Sequence, residues 1–525
     1  MQQGAAQQLH AAEAVAEPEG SHEGPKLVEG FGKGLARDIK TRAPSYLSDF
    51  TDGLNIKTLS ATFFLFFACL APAVAFGGLM GVTTAGQIGT IEMIAATAGC
   101  GVVYSLTAGQ PLTIIGSTGP VLAFTAVLYK TAVRLGLPFL PLYAWVGLWT
   151  SALLALASLF SLSNMVLYFT RFTDEIFGGL ISVIFIYEAL RDLSGLYVNP
   201  AVPLATALLS SAVAATTFGT ATALRGLRTS PYLVKGARDV LADFAPTIGV
   251  VAGAAAAAAA AARHGAAGAL QTLAVPAAFT TTAGRPWRVP LLDLPPWARA
   301  AALVPALMST VLLFMDQNIT VRLVNAREHK LKKGFGLHLD MAAIAALVAG
   351  CSVLGLPWLV AATVRSLAHV RALARYERRD DGGGEAIAAM TETRVSGLAI
   401  HAAIGAAILF LRPALARIPL AVLMGLFLYL GAGGLQGNQM AARVALLFTD
   451  PAQRPRVPWV TDVKVAKTHL FTGVQLAALS AMVAVKSSPA GVLFPVIIAL
   501  LAPLRIALER CGLFSKQEMD VLDAE

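Results

Sequence analysis

Gly109-Gln110-Pro111-Leu112-Thr113-Ile114-Ile115-Gly116-Ser117-Thr118-Gly119-Pro120 breaks an otherwise apolar stretch with three glycines and two prolines. Proline removes a backbone donor and blocks the preceding turn, so no continuous helix runs through these residues. A second interruption lies in the other half of the chain. There Gly355-Leu356-Pro357-Trp358 precedes Ala361-Ala362-Thr363-Val364-Arg365-Ser366. Short Gly/Pro-broken apolar segments in both halves are the strongest pointer in a sequence to a transporter binding site. A half-helix that starts inside a bilayer offers unpaired N–H groups and the positive end of its dipole. Two ordinary proline kinks are the plainer alternative.

The surroundings make a bilayer the relevant solvent. Of 525 residues, 56% are hydrophobic and 14% charged, against about 25% charged in soluble domains. Several water-facing domains, disorder, collagen and coiled coil are excluded together. An all-α polytopic membrane protein remains. Apolar spans are expected at 59–82, 87–108, 111–128, 142–167, 176–190, 202–224, 244–262, 300–319, 341–360, 395–411, 418–435, 469–485 and 490–507, with a short one between Trp358 and Ala374. Each approaches the roughly 20 residues that cross a bilayer, or falls a little short.

The net charge of +9 reads as basic loops beside anionic lipid rather than nucleic-acid binding. Lys and Arg gather around Lys26–Arg42, Arg225–Arg238, Arg322–Lys333, Arg371–Arg379 and Arg454–Lys467. With these inside, both termini are cytoplasmic and the number of crossings is even. The first 57 residues lack the apolar core of a signal peptide, so no cleavage is expected. Cys69, Cys100, Cys351 and Cys511 have no metal-ligand spacing and imply no disulfide framework.

Charges inside spans carry the functional reading, since each is costly there unless paired or solvated. Asp316 has Thr320 one turn later, on the same helical face. Carboxylate plus hydroxyl suits a hard cation. Alternatively the carboxyl is protonated, because desolvation disfavours its charge, or it pairs with Arg365. Arg365, at the start of the second broken helix, makes an anion site with the helix N-terminus, unless it snorkels or only partners Asp316. Lys486 lines the same path or snorkels at a helix end. Glu175, four residues after Arg171 at a helix start, reads as structural. No P-loop, His/Cys metal spacing or nucleophile elbow is present, so neither an enzyme nor a cofactor is expected.

The chain resembles the bicarbonate transporter family, solute carrier family 4, which includes anion exchangers and sodium–bicarbonate cotransporters. The resemblance rests on Ala43-Pro44-Ser45-Tyr46-Leu47-Ser48-Asp49-Phe50, Ala108 through Pro120, Arg171-Phe172-Thr173-Asp174-Glu175-Ile176-Phe177 and Ile184-Phe185-Ile186-Tyr187-Glu188. It continues in Phe314-Met315-Asp316-Gln317, Glu328 through Gly334, His338-Leu339-Asp340 and Val485-Lys486-Ser487-Ser488-Pro489. It implies fourteen membrane segments in two inverted repeats of seven, with the third and tenth as half-helices meeting at mid-membrane. It implies a core at about 58–168 and 300–415 and a gate at about 169–299 and 416–508, flanked by cytoplasmic segments 1–57 and 509–525. The large cytoplasmic N-terminal domain of animal members is not expected here. Family members are usually dimers through their gates.

Carried over, the substrate site is Thr118, Gly119, Asp316, Thr363, Val364 and Arg365, with Lys486 on the path, and a sodium site is Asp316 with Thr320. The branch is mixed. Phe314–Gln317 and Glu328–Lys333 look like sodium-coupled members, whereas Thr363-Val364-Arg365-Ser366 looks like sodium-independent exchangers. A guanidinium about 4 Å from a sodium ion repels it by roughly 4 kcal/mol at an effective dielectric of 20. The resemblance therefore implies a secondary transporter, sodium-independent bicarbonate/chloride exchange first, sodium-coupled bicarbonate or carbonate transport second. Borate export, or a channel or membrane scaffold without turnover, remain as alternatives. A plasma-membrane location and a role in pH control follow from the same reading. In many members, Lys residues after the fifth-segment Tyr-Glu pair react with stilbene disulfonates. Here Tyr187 through Gly195 contains none.

Overall fold

Asn55 ends the polar N-terminal stretch and its side-chain oxygen accepts the Thr58 N–H at 2.8 Å. That satisfies one donor which a helix start leaves open, and an apolar helix of 28 residues follows. The computed structural model describes residues 30–168, 170–264, 270–273, 279–326, 329–378, 385–436, 438–488 and 494–523. In chain order the main elements are α1 (Lys33–Arg42), α2 (Ile56–Thr83), α3 (Thr90–Thr107), β1 (Ile115–Gly116), α4 (Gly119–Arg134), α5 (Phe139–Leu159), α6 (Arg171–Val198), α7 (Leu204–Gly226) and α8 (Ala245–His264). The second half continues with α9 (Leu303–Val324), α10 (Leu337–Leu354), β2 (Val360–Ala361), α11 (Thr363–Leu373), β3 (Ala374–Arg378), β4 (Glu385–Met390), α12 (Val395–Phe410), α13 (Leu420–Leu435), α14 (Gln439–Leu446), α15 (Val465–Ser487), α16 (Phe494–Arg510) and α17 (Lys516–Leu522).

Among the described residues, 8 helices are long and apolar enough to cross a membrane, and a ninth arises if α13 and α14, bent by 78°, count as one span. The other expected spans form helices too, but shorter or more charged ones. Examples are α12 with 16 residues and α16 with 17. The expected span at 111–128 is broken, as its glycines and prolines require. Its helix begins only at Gly119.

The chain divides into two units, residues 1–167 with 274–416, and residues 168–273 with 417–525. The stretch 279–299 belongs to the first unit, although the sequence reading grouped it with the second. Side chains of the first unit hold it there. Buried Glu92 accepts the Thr282 N–H at 2.7 Å and its hydroxyl at 2.6 Å. Trp145 and Trp149 donate to the carbonyls of Leu291 and Arg299, each at 2.9 Å.

In the first unit, the second broken segment is anchored through Trp358. Its fully buried ring stacks on Tyr143 with centroids 4.3 Å apart, and its indole N–H donates to Ser352 at 2.9 Å. The first broken segment is fastened where it begins. Asp340 Oδ1 accepts the N–H groups of Gly109 and Gln110 at 2.8 and 3.2 Å. A Cβ at Gly109 would meet the backbone of Gly336 at 2.6 Å, so only glycine allows this approach.

A cationic cage ties the N-terminal region to that point. Asp49 is fully buried and faces Arg42 at 2.5 Å, Arg394 at 3.1 Å and Lys333 at 3.2 Å. Arg394 also donates to the carbonyls of Ser105 and Ala108 at 2.9 and 2.8 Å, at the C-terminal end of α3. Removing one partner of a buried ion pair strands the other charges at a cost of about 3–5 kcal/mol. Asp49→Ala is therefore expected to lower stability by about that much and to shift the melting transition of detergent-solubilised protein down clearly. An unchanged transition would show that Arg42 and Arg394 find other partners.

The second unit has its own buried network. Glu175 pairs with Arg443 at 2.5 Å, Gln475 bridges both at 2.9 and 3.1 Å, and Arg171 joins at 3.2 Å. Glu175 is thus structural, as its place at a helix start indicates. Residues 509–525, expected as a plain tail, carry α17 instead. Phe514, Met519 and Leu522 are buried, and Asp523 accepts the Phe172 N–H at 2.6 Å while pairing with Arg505 at 2.9 Å.

Candidate functional site

Helix α9 carries Asp316, Gln317 and Thr320 on neighbouring positions, all buried. Each holds a different part of the two broken segments. Asp316 accepts a hydrogen bond from the Thr118 hydroxyl at 2.8 Å. Thr118 sits at the N-cap of α4, yet its side chain makes no bond to its own helix. It donates to Asp316, and no side-chain cap satisfies the first-turn N–H groups of α4.

The second half-helix, α11, starts without a side-chain cap as well. Just before it, β1 and β2 form a two-residue antiparallel pair, Ile115 opposite Ala361 and Gly116 opposite Val360. The Ala362 N–H donates to the Ile114 carbonyl at 2.8 Å. From α9, the Thr320 hydroxyl meets that of Thr363 at 2.7 Å, and Gln317 Oε1 accepts the Ala361 N–H at 2.9 Å. Two half-helix starts therefore lie across a short ladder, both fixed from one helix.

Arg365 is buried, at 8% exposure. Its Nη2 donates to the Ser117 carbonyl at 2.5 Å, and its Nη1 has no hydrogen-bond partner among the described residues. A Cβ at Gly116 would collide with this guanidinium, so the glycine makes room for it. No ion pair joins Arg365 to Asp316: the two groups bond Ser117 and Thr118 separately. The ion pair considered from sequence is not formed.

Thr118, Gly119, Asp316, Thr320, Thr363 and Arg365 all fall on the elements of this crossing in the first unit. Val364 is there too, but 80% exposed. Lys486 ends α15 in the second unit, and its side chain lies outside the described residues. Sequence reasoning passed over Gln317, Ser366 and His369 as site residues. Ser366 accepts the Ile114 N–H at 2.9 Å. His369 meets the Leu112 carbonyl at 2.9 Å and Ser396 at 2.7 Å. These side chains lace α11 to the backbone of the first broken segment. Their residue types gave no signal, because Ser and His in an apolar helix are read first as buried and satisfied.

Chemically the crossing offers two kinds of place. Uncapped helix starts and a guanidinium arm without a partner suit an anion. The oxygens of Asp316, Thr118, Thr320 and Thr363 suit a hard cation.

The HCO3- transporter integral membrane domain matches residues 30–202 and 196–525. The chain belongs to the bicarbonate transporter family. It is 36% identical to the sodium-driven chloride bicarbonate exchanger of Bos taurus, over 98% of this chain and 52% of that protein. It is 37% identical to the band 3 anion transport protein of Homo sapiens, over 94% and 56%. An electroneutral sodium bicarbonate exchanger 1 of Rattus norvegicus is 35% identical over 97% and 52%. The chain thus spans about half the length of the curated relatives it matches. The matched family is one of integral membrane bicarbonate transporters.

The fold has wider company. The transmembrane domain of the cyanobacterial bicarbonate transporter BicA aligns with a TM-score of 0.58 at 15% identity, covering 85% of this chain and 98% of that one. Murine Solute Carrier 26 family member A9 aligns at 0.60 and 13%, covering 96% and 74%. At these identities the likeness concerns the fold alone.

Proposed function

We propose that this protein is a secondary active transporter of inorganic anions that exchanges bicarbonate for chloride without sodium, by alternating access. The observation that carries this reading is Arg365, buried where the two broken segments cross, with Nη1 uncommitted. An anion arriving there meets a guanidinium that pays its desolvation before binding, together with two uncapped helix starts. Family membership supports bicarbonate as the substrate.

The same reading takes the chain as fourteen membrane segments in two inverted repeats. The first unit serves as core and the second as gate. The protein is a homodimer in the plasma membrane with both termini cytoplasmic, and it serves pH regulation. Sodium-coupled bicarbonate or carbonate transport is the second reading. It is favoured by the Asp316 carboxylate, which forms no ion pair with Arg365, and by the Thr320 hydroxyl one turn along the same helix, paired with that of Thr363. Borate export and a non-transporting scaffold have no such observation behind them.

Anion flux in proteoliposomes, with sodium, chloride and borate varied independently, tests the reading. Chloride-dependent bicarbonate counterflow unaffected by sodium is expected. Flux that requires sodium would replace the first reading by the second, and absence of saturable counterflow would remove both.

Inhibition offers a further check. Arg191 and Asp192 stand in the stretch 187–195, where no Lys is present, and Arg191 pairs with Glu188 at 3.7 Å. Guanidinium stays protonated and is a poor nucleophile. Stilbene disulfonates are therefore expected to inhibit weakly and reversibly. Stoichiometric covalent labelling mapped to 187–195 would contradict this, whereas labelling at Lys486 would not.

A further inference from the structure

Gln317 lies one residue past Asp316, and its amide is committed at both ends. Oε1 accepts the Ala361 N–H at 2.9 Å, and Nε2 donates to the Tyr104 hydroxyl on α3 at 2.9 Å. Gln317 is fully buried and Tyr104 is 1% exposed. Asp340 separately grips the N–H groups where the first broken segment begins. One buried amide bridge thus runs from Tyr104 on α3, through Gln317, to the residue before the N-cap of α11.

We propose that Gln317, backed by Tyr104, is a positioning residue for transport: it sets the register of α11 against α9 and so fixes where Thr363 and the open helix start face the ion. The inference rests on the transporter reading above. The Ala362 N–H, Ser366 and His369 tie α11 to the first broken segment, but toward α9 the other tie is the Thr320 hydroxyl, which rotates freely against Thr363 and the Ala361 carbonyl. The Gln317 amide is planar and bound at both ends, so it removes the freedom those contacts leave. A buried amide left without its partners is costly, which favours a single arrangement of the crossing.

The test uses the full chain in proteoliposomes and in detergent. Gln317→Met keeps the length of the side chain and removes both bonds. Tyr104→Phe removes only the backing hydroxyl and is the milder variant should the first fail to fold. Gln317→Met is expected to raise the bicarbonate concentration for half-maximal exchange about tenfold, with turnover per folded molecule much less affected. Tyr104→Phe is expected to raise it less, and to add nothing in the Gln317→Met background, because the two act as one unit. Hydrogen exchange followed by mass spectrometry reads the clamp without any transport. Peptides covering 360–363 are expected to exchange faster in both variants, while those from the second unit do not change.

Unaltered half-saturation together with unaltered exchange at 360–363 would overturn the proposal, as would strictly additive effects of the two substitutions. A wild-type protein that moves no anion would defeat the transporter reading instead. In that case faster exchange at 360–363 still supports the clamp and unaltered exchange still overturns it.

Discussion

Arg365→Ile is expected to abolish sodium-independent bicarbonate exchange or reduce it about a hundredfold or more, since removing one partner of a desolvated charged contact costs 2–5 kcal/mol or more and each 1.4 kcal/mol is tenfold. Two losses combine. The anion loses the guanidinium arm that has no internal partner, and the Ser117 carbonyl loses its donor at 2.5 Å. Arg365→Lys separates them. It restores a positive charge without the planar fork, so partial recovery is expected if charge at the crossing matters and none if only the brace on Ser117 does. Both variants are measured per folded molecule. Full exchange by Arg365→Ile would sink the anion-site assignment. Exchange that becomes sodium-dependent would mean that the guanidinium had stood in for a cation.

The broken segments were readable in the sequence because glycine and proline act locally. Pro111 and Pro357, together with the glycines beside them, disfavour a continuous helix, Pro120 suits a first helical turn, and the helices resume only at Gly119 and Thr363. Pro72 and Pro503 lie inside helices, so a lone proline does not suffice. Asp316 and Arg365 stood out because charge in an apolar span needs a reason. Their actual partners did not. Thr118 and Asp316 are 198 positions apart and Arg365 and Ser117 are 248 apart, so spacing within one helix carries no trace of either bond. The pairing of Asp316 with Arg365, one of three alternatives for that carboxylate, did not form. Backbone carbonyls and hydroxyls, which every sequence has in plenty, took both groups instead.

Gln317 was overlooked for a related reason. An amide next to a carboxylate looks like a spectator until its second partner, Tyr104, comes from 213 positions away. The boundary at 279–299 was misplaced because it depends on Glu92 and two tryptophans that act across the fold, not on apolarity along the chain.

Asp316→Asn tests the other charge at the crossing. Asn has nearly the same size and keeps an oxygen able to accept the Thr118 hydroxyl, so the 2.8 Å bond and the fold are expected to survive. What disappears is the negative charge and the capacity to take up a proton. Because no ion pair holds Asp316 in the described structure, its charge is balanced only by an arriving cation, by a proton or by the field of the crossing. The variant is therefore expected to lose about tenfold or more in flux, the scale of one lost charged contact of about 1.5–3 kcal/mol, and to show a flattened pH profile. Under the sodium-coupled reading it would lose its sodium dependence as well, because Thr320 and Thr363 retain only neutral oxygens. Flux in proteoliposomes at several external pH values, with and without sodium, distinguishes these results. If flux, pH profile and sodium response all match the wild type, Asp316 is a structural acceptor for Thr118 and nothing more.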